Sequence, residues 1–345
     1  MNYSDLYSAC LKKLYRREDL EIDEADQLLE GIFGGQLNEV QMTTLLTALS
    51  WKGESVREIV GFARGMRRHA VKFCHNEEGA VDTAGTGGDS TRTFNISTAA
   101  AFVIAGAGIR VAKHGNRAIS GQCGSADVLT YLGVRVDAPK GVLENCFREC
   151  GITFLFAPAF HPAMRIVSKV RKEMGIRTIF NLLGPLSNPA DVKRQIIGVY
   201  SPQLTETFVQ VLDVLGCERA LVFSGEEGLD EISVSGPTKL SELRRGSVQT
   251  RVLTPEDVGL CRSPSRALRG GDPAENGRIL REILKGDRNG AERDAVLLNA
   301  AAGIYVADRA ESLQSGLALA RESLESGQAL RKLDQLIAFS NLPPV

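Results

Sequence analysis

Residues 82–98 read Asp-Thr-Ala-Gly-Thr-Gly-Gly-Asp-Ser-Thr-Arg-Thr-Phe-Asn-Ile-Ser-Thr, a run whose residue types suit phosphate binding. Gly85, Gly87 and Gly88 carry no Cβ, so the backbone can turn sharply and approach a ligand closely. Asn95, Ser97 and Thr98 stand at N-cap positions ahead of the apolar run 99–104. A helix start presents free N–H groups and a partial positive charge, which favour an anion. The run lacks the Gly-Lys-Ser/Thr of a P-loop and does not follow the Gly-x-Gly-x-x-Gly of dinucleotide sites. Asn95-Ile96-Ser97 also matches a glycosylation acceptor, with nothing else in the chain pointing to secretion.

A second polar loop follows at 113–125, Lys-His-Gly-Asn-Arg-Ala-Ile-Ser-Gly-Gln-Cys-Gly-Ser. Lys113 and Arg117 supply cations, Ser120 and Ser125 hydroxyls, and Gly115, Gly121 and Gly124 close backbone approach. Two such loops are more than turns require and point to a ligand with several phosphates. Asp230-Glu231 is a third candidate. Adjacent carboxylates are ordinarily a solvated surface pair, but Mg2+ is held by one or two carboxylates plus substrate phosphate oxygens. Arg165, Arg171 and Arg177 are a fourth group, from which one arginine could grip a carboxylate; alone, each reads as helix surface. His114 alone reads as a structural histidine rather than a catalyst.

The elements that must position these residues are legible in the hydrophobic periodicity. Residues 3–67 read as all helical, with apolar positions at helical spacing in Leu6, Cys10, Leu11 and Leu14, then Ala25, Leu28, Leu29 and Ile32. The spacing recurs in Val40, Thr44, Leu45 and Ala48, and in Val56, Ile59, Val60 and Ala63; Asp23 and Asn38 are expected to cap the second and third helices. Strands are expected at 80–84, 109–113, 133–137 and 153–157, with helices at 97–107, 125–132 and 140–150 between them. A helix at 162–174 and a helical piece at 177–183 run into the breaker Gly184-Pro185-Leu186-Ser187-Asn188-Pro189. A strand at 195–200, a helix at 203–215 and a strand at 219–224 follow, then antiparallel strands over 231–253 around Gly236-Pro237. Helices at 273–286, 290–306, 309–326 and 328–339 close the chain.

This alternation predicts an α/β fold: a small all-helical domain plus a larger α/β domain with a mainly parallel central sheet. The helical domain is expected over 1–70 with 165–190 returning to it, and the α/β domain over 71–164 and 191–345, with the ligand cleft between them. Both polar loops follow strand C-terminal ends, where open α/β sheets bind ligands.

The 345 residues are 43% hydrophobic and 24% charged, values of a water-soluble globular protein. A net charge of −1 argues against nucleic acid or an anionic membrane as partner. The polar N-terminus has no signal-peptide core, and no apolar run approaches the ~20 residues of a membrane helix. Seven scattered cysteines without a Cys-x-x-Cys pair are expected to be reduced thiols in a cytoplasm.

At these residues the chain resembles the anthranilate phosphoribosyltransferases, the tryptophan-pathway family with a nucleoside-phosphorylase-like fold. The matching motifs are Gly85-Thr86-Gly87-Gly88-Asp89, Asn95-Ile96-Ser97-Thr98, Lys113-His114-Gly115-Asn116-Arg117, the stretch 177–189, Asp230-Glu231, Gly236-Pro237-Thr238, the stretch 253–257 and Asn299-Ala300-Ala301. The resemblance implies a phosphoribosyl diphosphate site lined by Gly85, Gly88, Asp89, Thr93, Asn95, Ile96, Ser97 and Thr98. Lys113, His114, Gly115, Asn116, Arg117, Ala118, Ile119, Ser120, Gly121 and Ser125 would close over its phosphates. It implies Ser97, Asp230 and Glu231 as ligands of two Mg2+ ions. Gly85, Asn116 and Arg171 would contact anthranilate, with Arg171 on its carboxylate and Gly85 leaving room for the amine. Lys113, Asn116 and Arg171 carry the catalytic expectation, and a homodimer through the helical domain is implied. Gly121 and Cys123 depart from serines common in the family; this removes a hydroxyl contact and leaves the backbone N–H groups.

The expected reaction joins the anthranilate amine to C1′ as diphosphate leaves. The aryl amine is neutral near pH 7, so the lack of an obvious general base fits. Two alternatives remain at this point: a pyrimidine nucleoside phosphorylase, and a non-catalytic nucleic-acid-binding paralogue of the same fold.

Overall fold

The computed structural model of the protein describes residues 3–73, 75, 79–87, 92–118 and 122–343. Four helices come first: α1 (Tyr3–Tyr15), α2 (Ile22–Phe33), α3 (Glu39–Lys52) and α4 (Val56–His69). Asn38 caps α3, its Oδ1 accepting from Gln41 N at 2.9 Å. The cap of α2 is Glu21 rather than Asp23, and Glu24 Oε2 accepts from the Glu21 N–H at 2.9 Å. Asp23 falls inside the first turn instead, where a negative charge still meets the helix dipole favourably.

The α/β part alternates β1 (Val81–Gly85), α5 (Ile96–Gly106), β2 (Val111–Gly115), α6 (Ser125–Tyr131), α7 (Lys140–Asn145) and β3 (Ile152–Phe156). After α8 (Ala157–Phe160), α9 (Met164–Met174) and α10 (Phe180–Leu183) come β4 (Arg194–Gly198), α11 (Leu204–Val214) and β5 (Arg219–Gly225). A hairpin of β6 (Thr238–Arg244) and β7 (Ser247–Leu253) precedes α12 (Pro273–Lys285), α13 (Ala291–Val306), α14 (Leu313–Glu325) and α15 (Gln328–Ser340). The sheet order is β3-β2-β1-β4-β5-β6-β7, parallel through β5 and antiparallel beyond it. The architecture is thus a helical bundle with an α/β domain on a mostly parallel sheet.

Two buried cores lie against this sheet. One joins α5, α13, α15 and the β1–β3 flank. The other joins α1–α4 with Val167, Val170, Phe180 and Leu186 of the 164–186 excursion, and continues onto Ile197, Val222 and α11. The bundle core therefore runs without interruption onto one face of β4 and β5.

Two expected strands are absent. At 133–137 the buried Val134 and Val136 mimic strand alternation, but Gly133 turns at φ 98° and Arg135 N–H donates to Ser340 Oγ at 3.1 Å. The first half of 231–253 is likewise irregular. The hairpin turn is Arg245-Gly246, both at positive φ (50° and 76°), the geometry two-residue hairpin turns require. Gly236-Pro237 lies ahead of β6, and Pro237 O closes a loop by accepting from Glu226 N–H at 3.0 Å. The last expected helices hold, except that the one expected from 309 starts at Leu313, capped by Ser312.

Candidate active site

Four neighbouring strands, β2, β1, β4 and β5, end in glycine: Gly115, Gly85, Gly198 and Gly225. The strand order reverses between β1 and β4, so a crevice opens over those two ends. The segment 226–231 crosses it. A Cβ on Gly198 would lie 1.6 Å from the Asp230 carbonyl oxygen, and one on Gly85 would lie 2.7 Å from Asp230 Oδ2. Both glycines therefore make room for Asp230, a cause for Gly85 that its own neighbourhood in sequence does not reveal. Gly115 makes room in the same way for Ser125, whose Oγ would be 2.3 Å from an added Cβ.

The two carboxylates meet the first loop. Asp230 Oδ2 accepts from Gly87 N–H at 2.9 Å, and Glu231 Oε1 accepts from Ser97 N–H at 3.0 Å. Glu231 is thus itself the anion held at the start of α5. Lys113, buried on β2, points to the same place: its Nζ donates to the Thr83 carbonyl, to Thr83 Oγ1 at 3.1 Å and to Ser97 Oγ at 3.4 Å. Burial pulls the Lys113 ammonium below the ordinary lysine value, while Asp82, Glu231 and Asp230 oppose the shift. Asp82, beneath the loop, accepts from His114 N–H at 3.1 Å, and burial raises its carboxyl to about 6.

His114 faces the opposite side of the sheet from Lys113, as strand alternation dictates. Its Nδ1–H donates to Gly184 O at 3.1 Å, and its ring lies 5.1 Å from that of His161. Burial lowers His114 to about 3 and His161 to about 4, so both are neutral near pH 7.

The second loop is held by Asp127. Its Oδ2 accepts from Ala118 N–H and Gly124 N–H, each at 2.9 Å, and its Oδ1 pairs with Arg117 at 2.9 Å. Arg117 is therefore an exposed loop clamp as well as a cation. Asn116 is exposed; its Oδ1 accepts from Arg117 N–H at 2.8 Å and its carbonyl from Ser125 Oγ–H at 3.3 Å.

Asn95 starts α5, but its side chain works sideways: Nδ2 donates to Cys123 O at 3.2 Å, and Oδ1 accepts from Asn276 Nδ2 at 3.0 Å. Thr98 and Ile96 are buried, and Thr93 is half-buried. Gly88, Asp89, Ile119, Ser120 and Gly121 lie outside the described residues. Arg171 is half-buried on α9, its guanidinium 5.6 Å from the Phe180 ring, and burial alone lowers its pKa. Arg165 and Arg177 are exposed, and Arg177 stacks 4.0 Å over Tyr200. Asp127, Gly198 and Asn276, which brace the loops and the Asp230 segment, were not singled out from the sequence, and Asn299 only as part of a matching motif. Asp127 had a usable signal, an acid in the first turn of a helix that follows a glycine-rich loop.

Residues 77–330 match the family described as "Glycosyl transferase family, a/b domain", and residues 8–70 its helical bundle domain. An anthranilate phosphoribosyltransferase of Desulfosudis oleivorans is 49% identical over 335 residues, covering 97% of this chain and 99% of the relative. One from Thermomicrobium roseum is 50% identical over 340 residues, 97% of each chain. The chain belongs to the anthranilate phosphoribosyltransferase family. Solved structures agree: the anthranilate phosphoribosyltransferase of Thermus thermophilus superposes with a TM-score of 0.91 at 44% identity, covering 96% of this chain and 99% of that one. The Saccharomyces cerevisiae anthranilate phosphoribosyltransferase in complex with PRPP and Mg gives 0.89 at 30% identity, covering 98% of each. A complex of the yeast anthranilate phosphoribosyltransferase with 4-fluoroanthranilate gives 0.88 at 29% identity, again over 98% of each. Among the described residues no helix is long and apolar enough to cross a membrane.

Proposed function

We propose that this chain transfers the 5-phosphoribosyl group of phosphoribosyl diphosphate to the anthranilate amine over the ends of β2, β1, β4 and β5. The products are N-(5-phosphoribosyl)anthranilate and diphosphate, a step of tryptophan biosynthesis. The observation that carries the reading is the convergence of Asp230, Glu231, Ser97 and Lys113 on one crevice, beside a helix start.

Asp230, Glu231 and the Ser97 hydroxyl form an all-oxygen donor set, which fits Mg2+. They would hold the ion, two per subunit in the full complement, and bound Mg2+ would neutralise the diphosphate as it leaves. Lys113 and the loop N–H groups add fixed positive charge at the same oxygens, where negative charge grows as the C1′–O bond breaks. The residues Gly85, Gly88, Asp89, Thr93, Asn95 to Thr98, Lys113 to Gly121 and Ser125 are the proposed phosphoribosyl diphosphate contacts. Backbone groups are the contact for buried Ile96 and inward-facing His114. Arg171 has no ion-pair partner among the described residues and is half-buried, which suits it to a substrate carboxylate. Asn116 would place the amine, while Gly85, whose Cβ space is taken by Asp230 Oδ2, would offer it only backbone. Closure of the helical bundle on the sheet edge would exclude water.

The proposed working form is a cytoplasmic homodimer joined through the bundle, where Tyr15, Val40 and Trp51 are exposed on α1 and α3. The test of function is fluorimetric. Anthranilate fluorescence should fall only when protein, Mg2+ and phosphoribosyl diphosphate are all present. Arsenolysis of uridine without anthranilate consumption would favour the phosphorylase reading instead.

A further inference from the structure

We propose that Asn299 is a positioning residue that holds Asp230 and Glu231 in register with Ser97. The inference rests on reading those carboxylates as metal ligands. Its starting point is an oddity: Asn299 sits mid-way along α13 and is wholly buried. Asparagine is a poor helix former, and a buried amide is costly unless fully hydrogen-bonded. Asn299 is so bonded. Its Oδ1 accepts from Ile232 N–H at 3.0 Å, while Nδ2 donates to Ile232 O at 3.1 Å and to Ala295 O at 2.9 Å.

The amide thus takes both backbone groups of one residue, as a neighbouring strand would. Ile232 directly follows Glu231 in a segment, 226–237, that has no strand or helix of its own. Such a segment needs an external partner to keep two like charges side by side. Asp230 is seated on the Gly198 end of β4, and Asn299 fixes the chain immediately after the pair.

The frame that carries Asn299 also carries Ser97. α13 packs closely on α5; a Cβ on Gly303 would stand 2.3 Å from Ile104 Cδ1. Helices this close move together, so Asn299 and Ser97 share one rigid reference. Removing the Asn299 amide frees the carboxylate pair relative to the hydroxyl without touching any group that meets substrate.

The test uses Mn2+ as probe, titrated by electron paramagnetic resonance with inorganic diphosphate present, on the full-length native chain, Asn299→Leu and Asp230→Asn. Asn299→Leu is expected to weaken Mn2+ binding by about tenfold or more, the effect of a lost outer-shell partner. KM for anthranilate at saturating Mg2+ should stay within about two-fold. Native Mn2+ affinity in Asn299→Leu overturns the proposal. Failure of the underlying metal reading shows separately, as Asp230→Asn binding Mn2+ like the native chain. Should Asn299→Leu not fold, Asn299→Ser repeats the titration, and amide exchange at Ile232 is read in the native chain. Slow exchange there is expected; exchange at the solvent rate overturns the proposal.

Discussion

Gly198→Ala puts the geometry of the site under the sharpest strain. The added Cβ would sit 1.6 Å from Asp230 O and 2.4 Å from its carbonyl carbon. Both are backbone atoms, so no side-chain rotation relieves the clash. Raising the contact from 1.6 Å to the 3.0 Å below which real Cβ contacts essentially never fall moves the 229–231 backbone or β4 by about 1.4 Å. A displacement of that size breaks the Gly87 N–H···Asp230 and Ser97 N–H···Glu231 bonds, now 2.9 and 3.0 Å. Hydrogen bonds to charged groups contribute roughly 1.5–3 kcal/mol each. A ~1 Å misplacement in an active site costs on the order of 100-fold in rate. We therefore expect kcat/KM for phosphoribosyl transfer to drop by about 100-fold, ~2.7 kcal/mol of transition-state stabilisation. Overpacking should also lower stability by about 1–3 kcal/mol, so the assay is run well below Tm. The assay follows anthranilate fluorescence, with Gly141→Ala as control; a Cβ there meets nothing within 4 Å. Kinetics of Gly198→Ala within about three-fold of native would refute the reasoning that Asp230 is held against this strand end.

Arg171→Ala should raise KM for anthranilate while leaving that for phosphoribosyl diphosphate nearly unchanged; equal damage to both rejects the carboxylate role. Lys113→Ala should lower kcat/KM through the diphosphate site, by about 100-fold for a lost electrostatic stabiliser, and native kinetics would sink that assignment. Asp230→Asn with Glu231→Gln should shift the Mg2+ dependence of the rate, and an unaltered Mg2+ titration counts against metal binding there. Acid stability is read from His161→Gln by urea unfolding. His114 and His161 are depressed from 6.5 to about 3 and about 4, so the stability they contribute is present above pH 6.5 and lost as pH falls. Asp82, raised from 3.8 to about 6, acts with the opposite sign over the same window. Between about pH 6 and 4 unfolding takes up two protons at the histidines and releases one at Asp82. The variant's stability should therefore fall less steeply than the native chain's, by ~1.4 kcal/mol per pH unit; equal slopes contradict the buried neutral histidine.

The phosphate-type loops were legible because their glycines, hydroxyls and cations are contiguous and follow strand ends. The mainly parallel sheet was legible from the β-rich runs alternating with helical ones. Residues whose partners lie far along the chain were not. Gly198 looks like any strand-terminal glycine until Asp230 crosses it, and Asn299 acts on Ile232, 67 residues away. Arg117 reads as a phosphate cation, yet here it pairs with Asp127, which ties both ends of the loop. The hairpin was misplaced because Gly236-Pro237 is a stronger turn signal than Arg245-Gly246, which demands an arginine at positive φ. Strand 133–137 failed because two buried valines suffice to imitate alternation, whereas a strand needs a ladder partner.

Phosphoribosyl transfer at this crevice is tested by the stoichiometry of its products. Diphosphate release and anthranilate loss are measured together in the presence of Mg2+, for the native chain and for Asp230→Asn with Glu231→Gln. One diphosphate should be released per anthranilate consumed by the native chain, with both signals collapsing together in the variant at limiting Mg2+. Anthranilate left unconsumed by the native chain, or consumption undiminished in the variant, would contradict this reading.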